Sequence, residues 1–569
     1  VLRPSPRRES TGMRIAGIVA AVVLIGLVGI PILFVLFAAL SDVLPRPGNI
    51  SLANLSLETI GNIIRGSTLN AAKNSLLIAF GSSLVALVIG TLLAVLLART
   101  NVPGRKFLRV AGVAPMFIPA FVAALSWSLL ASPQSGLLNV LLRDLGIDFT
   151  VNVYSMGGLV FVLGVYYAPY VFMFVSSALA LMNPELEEAS LVHGGSMFGT
   201  LRRITLSLMT PAIVGSTFLV FILTLENFPV AQFLATPGRI DTLPTFIFRY
   251  MNESPPRGNE AAAIAVVLVL IVLALTWVQR RILAGRDYTT VAGKGSRSKT
   301  LDLGPWRWVA AVLVSVYFLV TVILPVGALL LVSSYSSPYI PSITGMFDRG
   351  SITGERLFEP LTDGLTLNAM SNSAIVSVAT AAVATFLAFA VAYLVYRTRL
   401  RGRNALEGIA MAPVAIPAIV MGLGLLWAWL IIPIPLYGTL GILVLAFVVT
   451  QLPQAFRSMS SSMLQVNKEL EESAMMHGAG RFRAIANVTA PLMRAGIGST
   501  FMLMLMLSMR ELTVPLFLYN TNTRLLSIVI FDQYENGSMQ NAAALGVWYV
   551  AVIGLLAIVA SRFGLKSLN

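Results

Sequence analysis

Apolar residues run in long blocks along the chain, and polar residues gather in the short stretches between them. Blocks of about 20 residues with few charges match the hydrocarbon thickness of a bilayer. Twelve fall near residues 14–40, 73–98, 107–131, 155–181, 211–235, 260–283, 306–334, 372–396, 405–432, 438–463, 495–519 and 540–563. Backbone in hydrocarbon must satisfy its own N–H and C=O groups, so each block predicts a helix. The expected fold class is therefore an all-α polytopic membrane protein with twelve transmembrane helices. The first block, about Ile15 to Leu40, follows Arg3, Arg7 and Arg8 and lacks an Ala-x-Ala-like cleavage site. It is longer than the ~7–15 residues of a signal-peptide core, so it reads as an uncleaved first span.

The second half repeats the first. Asn74-Ser75 returns as Asn372-Ser373, Arg99-Thr100 as Arg397-Thr398, and Gly104-Arg105 as Gly402-Arg403, each 298 residues later. The third and ninth spans open alike, Ala114-Pro115-Met116-Phe117-Ile118-Pro119-Ala120 against Ala412-Pro413-Val414-Ala415-Ile416-Pro417-Ala418. Six spans per half keep both copies in one orientation, which predicts a pseudo-twofold axis along the membrane normal and a path between the halves. The expected division is a first six-span domain over 1–285, a linker over 286–305 rich in Gly, Ser, Lys and Arg, and a second six-span domain over 306–569. The paired prolines read either as packing kinks or as devices that shape a pathway.

Composition narrows the function classes. Hydrophobic residues make up 57% and charged residues 11%, which excludes a soluble globular enzyme and a disordered chain. The net charge of +14 follows a topological pattern and suggests no nucleic-acid partner. With both termini in the cytoplasm, the inner segments carry 28 Lys and Arg against 9 in the outer loops, the bias of the positive-inside rule. The absence of cysteine removes disulfides, thiolate metal sites and Cys nucleophiles. Two histidines are too few for an imidazole metal centre, and no metal site is expected.

The most informative segment lies between the fourth and fifth spans of each half. The first copy reads Asn183-Pro184-Glu185-Leu186-Glu187-Glu188-Ala189-Ser190-Leu191-Val192-His193-Gly194, and the second Asn467-Lys468-Glu469-Leu470-Glu471-Glu472-Ser473-Ala474-Met475-Met476-His477-Gly478. Asn at the N-cap, Pro184 at the first helical position and carboxylates in the first turns start a helix. Gly194 and Gly478 suit a left-handed C-terminal turn. Each copy thus predicts a short rigid helix with Leu186, Ala189, Val192 and His193 along one side. That shape fits docking into a groove of another protein, against the plainer reading of a capped, solvated surface helix.

This loop resembles the signature of ABC importer permeases: Glu-Ala-Ala, three residues, Gly, nine residues, then Ile-x-Leu-Pro. The chain has Glu188-Ala189-Ser190, Gly194 and Ile204-Thr205-Leu206-Ser207, then Glu472-Ser473-Ala474, Gly478 and Val488-Thr489-Ala490-Pro491, with the same spacing in both. Ser207 stands where the signature ends in Pro. The resemblance implies the type I importer permease fold, fused two-in-one, with coupling loops at about 183–210 and 467–494. It implies that Glu188, Ala189, Gly194, Glu472, Ala474 and Gly478 couple to an ATPase, with His193 and His477 as helix-end or interface residues. The chain lacks a Walker A string; Gly293-Lys294-Gly295-Ser296 is the nearest. No enzymatic activity is therefore expected on it. ATP and Mg would belong to a partner ATPase present in two copies, and no cofactor to this chain.

Leu225-Glu226-Asn227-Phe228-Pro229-Val230 and Arg510-Glu511-Leu512-Thr513-Val514-Pro515 look like the corresponding strings of fused iron(III) permeases. That likeness implies ferric iron as cargo, delivered by a solute-binding protein, in a bacterial cytoplasmic (inner) membrane. Fused thiamine, aminoethylphosphonate and polyamine permeases are the alternatives. Charge within a span is costly and marks a partner or a water-filled path. Glu226, Asn227, Arg510 and Glu511 are accordingly the candidate path or gate residues, against the reading that they reach headgroups. The outer loops near 132–154, 236–259, 335–371 and 520–539 are the candidate surface for the binding protein. A twelve-span secondary transporter of the major facilitator type is the rival class, but the duplicated loop has no place in it. A channel is disfavoured because no filter-like Gly/Thr loop occurs.

Overall fold

The computed structural model describes residues 11–46, 55–63, 66–182, 185–283, 302–337, 339–343 and 351–565; the side chains of Glu188, Leu191, Met197, Phe198 and residues 561–565 are outside that description. Asn183, Pro184 and most of the expected linker also lie outside the described residues. Among the described residues the chain is helical, with isolated bridges Ser41–Leu55 and Tyr335–Ile352.

Eight helices are long and apolar enough to cross a membrane, and four bent pairs bring the total to twelve. The uninterrupted crossings are Thr11–Ala39, Gly66–Arg99, Met156–Leu181, Gly258–Leu283, Trp306–Ser334, Gly364–Arg397, Leu440–Gln465 and Met539–Ala560. The third and ninth spans are broken. Arg105–Phe117 meets Ala120–Ala131 at 95°, and Arg403–Ala415 meets Ala418–Ile431 at 109°. The paired prolines cause this. Pro119 and Pro417 sit in extended conformation at the break, after a 3-10 turn that begins Ala114-Pro115 or Ala412-Pro413, and a proline there has no N–H with which to continue the ladder. In the first and seventh spans the same deficit is absorbed more gently. A π-helical turn, Ile25–Gly29 or Leu319–Ile323, precedes Pro31 or Pro325.

The halves are interlocked through their first spans. The far part of the first span, Ile30–Ala39, packs on Ala418–Ile431 of the ninth, and Leu324–Ser334 of the seventh packs on Ala120–Ala131 of the third. Gly424 permits the first of these contacts: a Cβ there would stand 2.5 Å from the Pro31 carbonyl oxygen. Met13, Ala20 and Leu24 of the first span share a buried cluster with Ala384, Val391 and Phe456 of the second half. Reciprocally, the Tyr317 hydroxyl of the seventh span donates to the Val165 carbonyl of the fourth (3.0 Å). Where the second half begins, Asn101 clasps the chain: its Nδ2 donates to Asp302 Oδ1 (2.5 Å) and its Oδ1 accepts from the Leu303 N–H (3.0 Å).

Candidate functional site

Both loop helices form, as Glu185–Val192 and Lys468–Met476. Asn467 Oδ1 accepts from the Glu469 N–H (3.0 Å), capping the second copy. Gly194 and Gly478 end their helices in the left-handed region, at φ 82° and 90°, which only glycine adopts without cost. His193 and His477 fold back identically: Nδ1 meets the Ala189 carbonyl at 2.7 Å and the Ser473 carbonyl at 2.8 Å. Nδ1 is the donor in that contact, since a carbonyl only accepts. Val192 is 84% and Met476 86% exposed, with Leu186, Ala189, Leu470 and Glu472 also exposed. Ala474 is half-buried. An apolar tip held in water on a capped helix suits contact with another protein.

The carboxylates that turn inward are the preceding ones, Glu187 and Glu471, each only 5% exposed. Thr205 Oγ1 donates to Glu187 Oε1 (2.6 Å), and Thr489 Oγ1 to Glu471 Oε2 (2.9 Å). Both threonines end a π-helical turn, Leu201–Thr205 or Ile485–Thr489. Beyond it the chain bends into the long part of the fifth and eleventh spans, by 62° and 73°. The elbow therefore forms in the first copy even with Ser207 in place of proline. The signature positions Glu188 and Glu472 did not reveal this pair. The recurrence of Glu and Thr eighteen residues apart in both copies was the available signal.

The fifth and eleventh spans stop short of the expected residues 235 and 519. Their helices are Thr210–Leu225 and Arg494–Met509. Hydropathy runs on past those ends, but a polar side chain caps a new turn at each break. Asn227 Oδ1 accepts from the Val230 N–H (2.9 Å), and Glu511 Oε1 from the Thr513 and Val514 N–H groups (2.8 and 3.3 Å). Asn227 and Glu511 thus hold equivalent places, and so do Glu226 and Arg510. Glu226, Arg510 and Glu511 are enclosed by protein yet keep partial exposure, so they border a gap inside the molecule. Glu226 lies near enough to Glu511 for their charges to interact. Arg510 crosses between halves, its Nη2 donating to the Tyr166 hydroxyl (2.6 Å), which in turn donates to the Ile118 carbonyl (2.9 Å) freed by the break in the third span. Asn227 Nδ2 donates to the Tyr167 hydroxyl (2.8 Å). Tyr166, Tyr167 and Tyr170 form a ring chain at 5.2 and 5.7 Å. In the second half Gln451, in the position of Tyr167, accepts from Ser508 (2.9 Å). The phenols that bond Arg510 and Asn227 come from the first half, while Tyr549 of the second half donates to the Met509 carbonyl beside them.

On the side of the breaks away from the loop helices, four phenylalanines meet. Phe248 and Phe531 hold the sixth position of the short helices Leu243–Asn252 and Leu526–Glu535, and their rings lie 6.1 Å apart. Phe233 packs on Phe531 (5.8 Å), and its counterpart Phe517 on Phe248 (6.3 Å). On the same side a cavity of about 400 Å³ is lined by Ser132 and Tyr154, Pro237, Tyr339 and Met539. It draws one wall from each of the four loops named above as the candidate outer surface.

The family model for "binding-protein-dependent transport system inner membrane component" matches this chain twice, over residues 86–286 and 384–566, together more than half of its length. The ferric transport system permease protein FbpB of Actinobacillus pleuropneumoniae is 24% identical over 87% of this chain and 71% of its own length. The Fe(3+)-transport system permease protein FbpB 2 of Haemophilus influenzae is 23% identical over 87% of this chain and 90% of its own. A putative 2-aminoethylphosphonate transport system permease protein, PhnV of Salmonella typhimurium, is 28% identical over 46% of this chain and 97% of its own. A solved bacterial ABC transporter for alginate import aligns over 40% of this chain and 84% of its own, at 25% identity and a TM-score of 0.35. Two copies of the family domain, each with its loop helix and interrupted spans, make this chain a fused ABC importer permease of the binding-protein-dependent transport family.

Proposed function

We propose that this multi-pass importer permease carries ferric iron, received from a solute-binding protein and driven by two copies of a separate ATPase. The observation that carries the reading is the duplicated loop helix, ended by Gly194 or Gly478 and holding Val192 and Met476 out in water. Each helix would enter a cleft of one ATPase subunit through Glu188, Ala189 and Gly194, or through Glu472, Ala474 and Gly478. ATP and Mg would be held by that partner. Both termini would lie in the cytoplasm, as the basic loops favour, with domains over 1–285 and 306–569 and the linker at 286–305 on the same side.

Closure of the ATPases would draw the loop helices together and turn the gap at Glu226, Asn227, Arg510 and Glu511 outward. The binding protein would sit over the four loops that converge on the cavity beside Tyr154 and Tyr339. Ferric iron as cargo is supported by the names of relatives that span most of this chain. Ferric ion is hard and takes oxygen ligands, and the gap offers the carboxylates of Glu226 and Glu511 beside phenols. The similarity to a 2-aminoethylphosphonate permease favours a second reading, in which Arg510 meets an anionic cargo.

The deciding experiment isolates the chain gently from its membrane with whatever accompanies it. An ATPase with Walker motifs and a binding protein loaded with ferric ion supports the proposal. A binding protein loaded with a phosphonate moves the cargo to the second reading. A chain that moves solute on an ion gradient, alone and without ATP, overturns both.

A further inference from the structure

A docking helix transmits force only if it cannot rock on its stem, and the two loop helices have different surroundings but the same kind of joint. In the first half Glu187 accepts from Thr205 on the elbow (2.6 Å) and lies 3.8 Å from the guanidinium of Arg99, the last residue of the second span. Arg99 also donates to the Leu179 carbonyl (2.9 Å), at the end of the span that leads into the loop. In the second half Glu471 accepts from Thr489 on the elbow (2.9 Å) and from the Tyr393 hydroxyl of the eighth span. Arg481 donates to that hydroxyl and to the Arg397 carbonyl (both 3.1 Å), and Arg397 donates to the Met463 and Val466 carbonyls (2.9 and 2.5 Å).

One buried carboxylate in each half therefore joins the loop helix to the elbow of the fifth or eleventh span, with the second or eighth span and the end of the fourth or tenth tied in through Arg99 or through Tyr393, Arg481 and Arg397. A buried carboxylate is costly unless its oxygens are bonded, so the node holds together or fails as a unit. The repeat preserves carboxylate and threonine, and Arg99 and Arg397 donate to the equivalent Leu179 and Met463 carbonyls, while Tyr393 and Arg481 bond together only in the second half. The Glu–Thr bond is thus kept in both halves although Val95 stands where the second half has Tyr393.

We infer that Glu187–Thr205 and Glu471–Thr489 are rigid joints, positioning residues that make each loop helix move as one body with the span carrying Glu226 or Arg510. The inference rests on the reading that an ATPase docks on those helices. The joints themselves touch neither nucleotide nor cargo.

The test uses the full chain. Because it has no native cysteine, Met476→Cys accepts a single spin label on the exposed tip. Thr205→Val with Thr489→Val removes both hydroxyls at constant shape, and Thr205→Ser with Thr489→Ser keeps them. Label mobility should rise in the valine pair and return in the serine pair. In vesicles holding the unlabelled chain with its ATPase and binding protein, ferric ion moved per ATP hydrolysed should fall about tenfold in the valine pair, the size expected for a lost charge-assisted hydrogen bond. ATPase association should persist, and the serine pair should recover the ratio. Unchanged mobility, an unchanged ratio, or serine variants as impaired as valine variants would overturn the joint. If no ATPase binds the unsubstituted chain, the importer reading fails instead, and label mobility still decides whether the joint exists.

Discussion

Phe248 and Phe531 occupy the same position of the internal repeat, and their rings touch each other, 6.1 Å between centroids. Two equivalent residues can meet only beside the axis that relates the halves. The contacts of Phe233 with Phe531 and of Phe517 with Phe248 flank that pair symmetrically. The centre of the molecule is thus closed by four aromatic rings on one side of the breaks at Asn227 and Glu511.

If the quartet seals the path, emptying its centre should open a leak. Aromatic pairs contribute about 0.5–1.5 kcal/mol beyond area burial. Phe248→Ala with Phe531→Ala removes all three contacts and should raise ATP-independent ion flux in vesicles by roughly tenfold. A double variant as tight as the original chain would place the seal elsewhere.

The Arg510–Tyr166 bond should matter differently. Tyr166→Phe leaves the Arg510 Nη2 and the Ile118 carbonyl without the hydroxyl that now joins them. A lost hydrogen bond to a charged group costs about 1.5–3 kcal/mol, so transport should fall between about tenfold and a hundredfold. ATPase association, set at the far end of the fifth and eleventh spans, should stay as before. Arg510→Lys should behave like Tyr166→Phe, because a lysine cannot reproduce the planar fork. Loss of ATPase binding in either variant would show a general failure of folding instead.

The parts of this fold that sequence reveals are those governed by local rules. Twelve apolar blocks match twelve crossings because hydrocarbon demands self-satisfied backbone. The loop helices appear where capping residues and Gly194 or Gly478 mark them. What stays hidden depends on tertiary enclosure. The segments after Leu225 and Met509 are as apolar as a helix continuing through lipid, yet here they are buried in protein, where an irregular backbone is tolerated. Pro119 and Pro417 announce a break but not a right angle. Three carboxylates stand in a row from Glu469 through Glu472 with Leu470 among them, and nothing local says that Glu471 turns inward while Glu472 faces water. That choice is made by Thr489 and Tyr393, which come from other elements.

The interlock of the halves can be tested at one atom. Gly424→Ala would drive a methyl group to 2.5 Å from the Pro31 carbonyl oxygen, forcing the first span off the ninth. Overpacking of this kind typically costs about 1–3 kcal/mol. Gly408, in the helix Arg403–Met411, has open space around it, and Gly408→Ala should stabilise by about 0.5–1 kcal/mol through backbone entropy. Thermal unfolding in detergent should move in opposite directions for the two alanines. A stabilised Gly424→Ala would contradict the packing.

The clasp at the start of the second half predicts a pH dependence. Asp302 accepts from the Gly304 N–H (2.9 Å) and from Asn101, and these bonds hold its carboxyl below the ordinary value. A carboxylate whose folded pKa is depressed adds stability above its unfolded pKa, and loses it as pH falls through the folded one. Asp302→Asn should therefore be less stable than the original chain at neutral pH by a constant margin. That margin should close only below the ordinary carboxylate range of about 4. A margin that changed between pH 8 and pH 6 would point to another group.

The exposed tips make the sharpest claim about partners. Val192 and Met476 are each more than four-fifths exposed, so replacing them with serine removes nothing the isolated chain uses for folding. Burying such a side chain in an interface contributes about 1.5–3 kcal/mol. Val192→Ser and Met476→Ser should therefore each weaken ATPase binding by at least about tenfold, with the thermal unfolding of the chain itself unchanged. The two tips sit on separate loop helices, one per half, so each would meet a different ATPase copy. Their effects on a two-copy complex should then multiply, because distant contacts without shared partners add in free energy. A single variant that abolished both copies would mean that the ATPases bind only as a preformed pair. Two variants with no effect at all would leave the apolar tips without a partner and return the loop helix to a capped surface element.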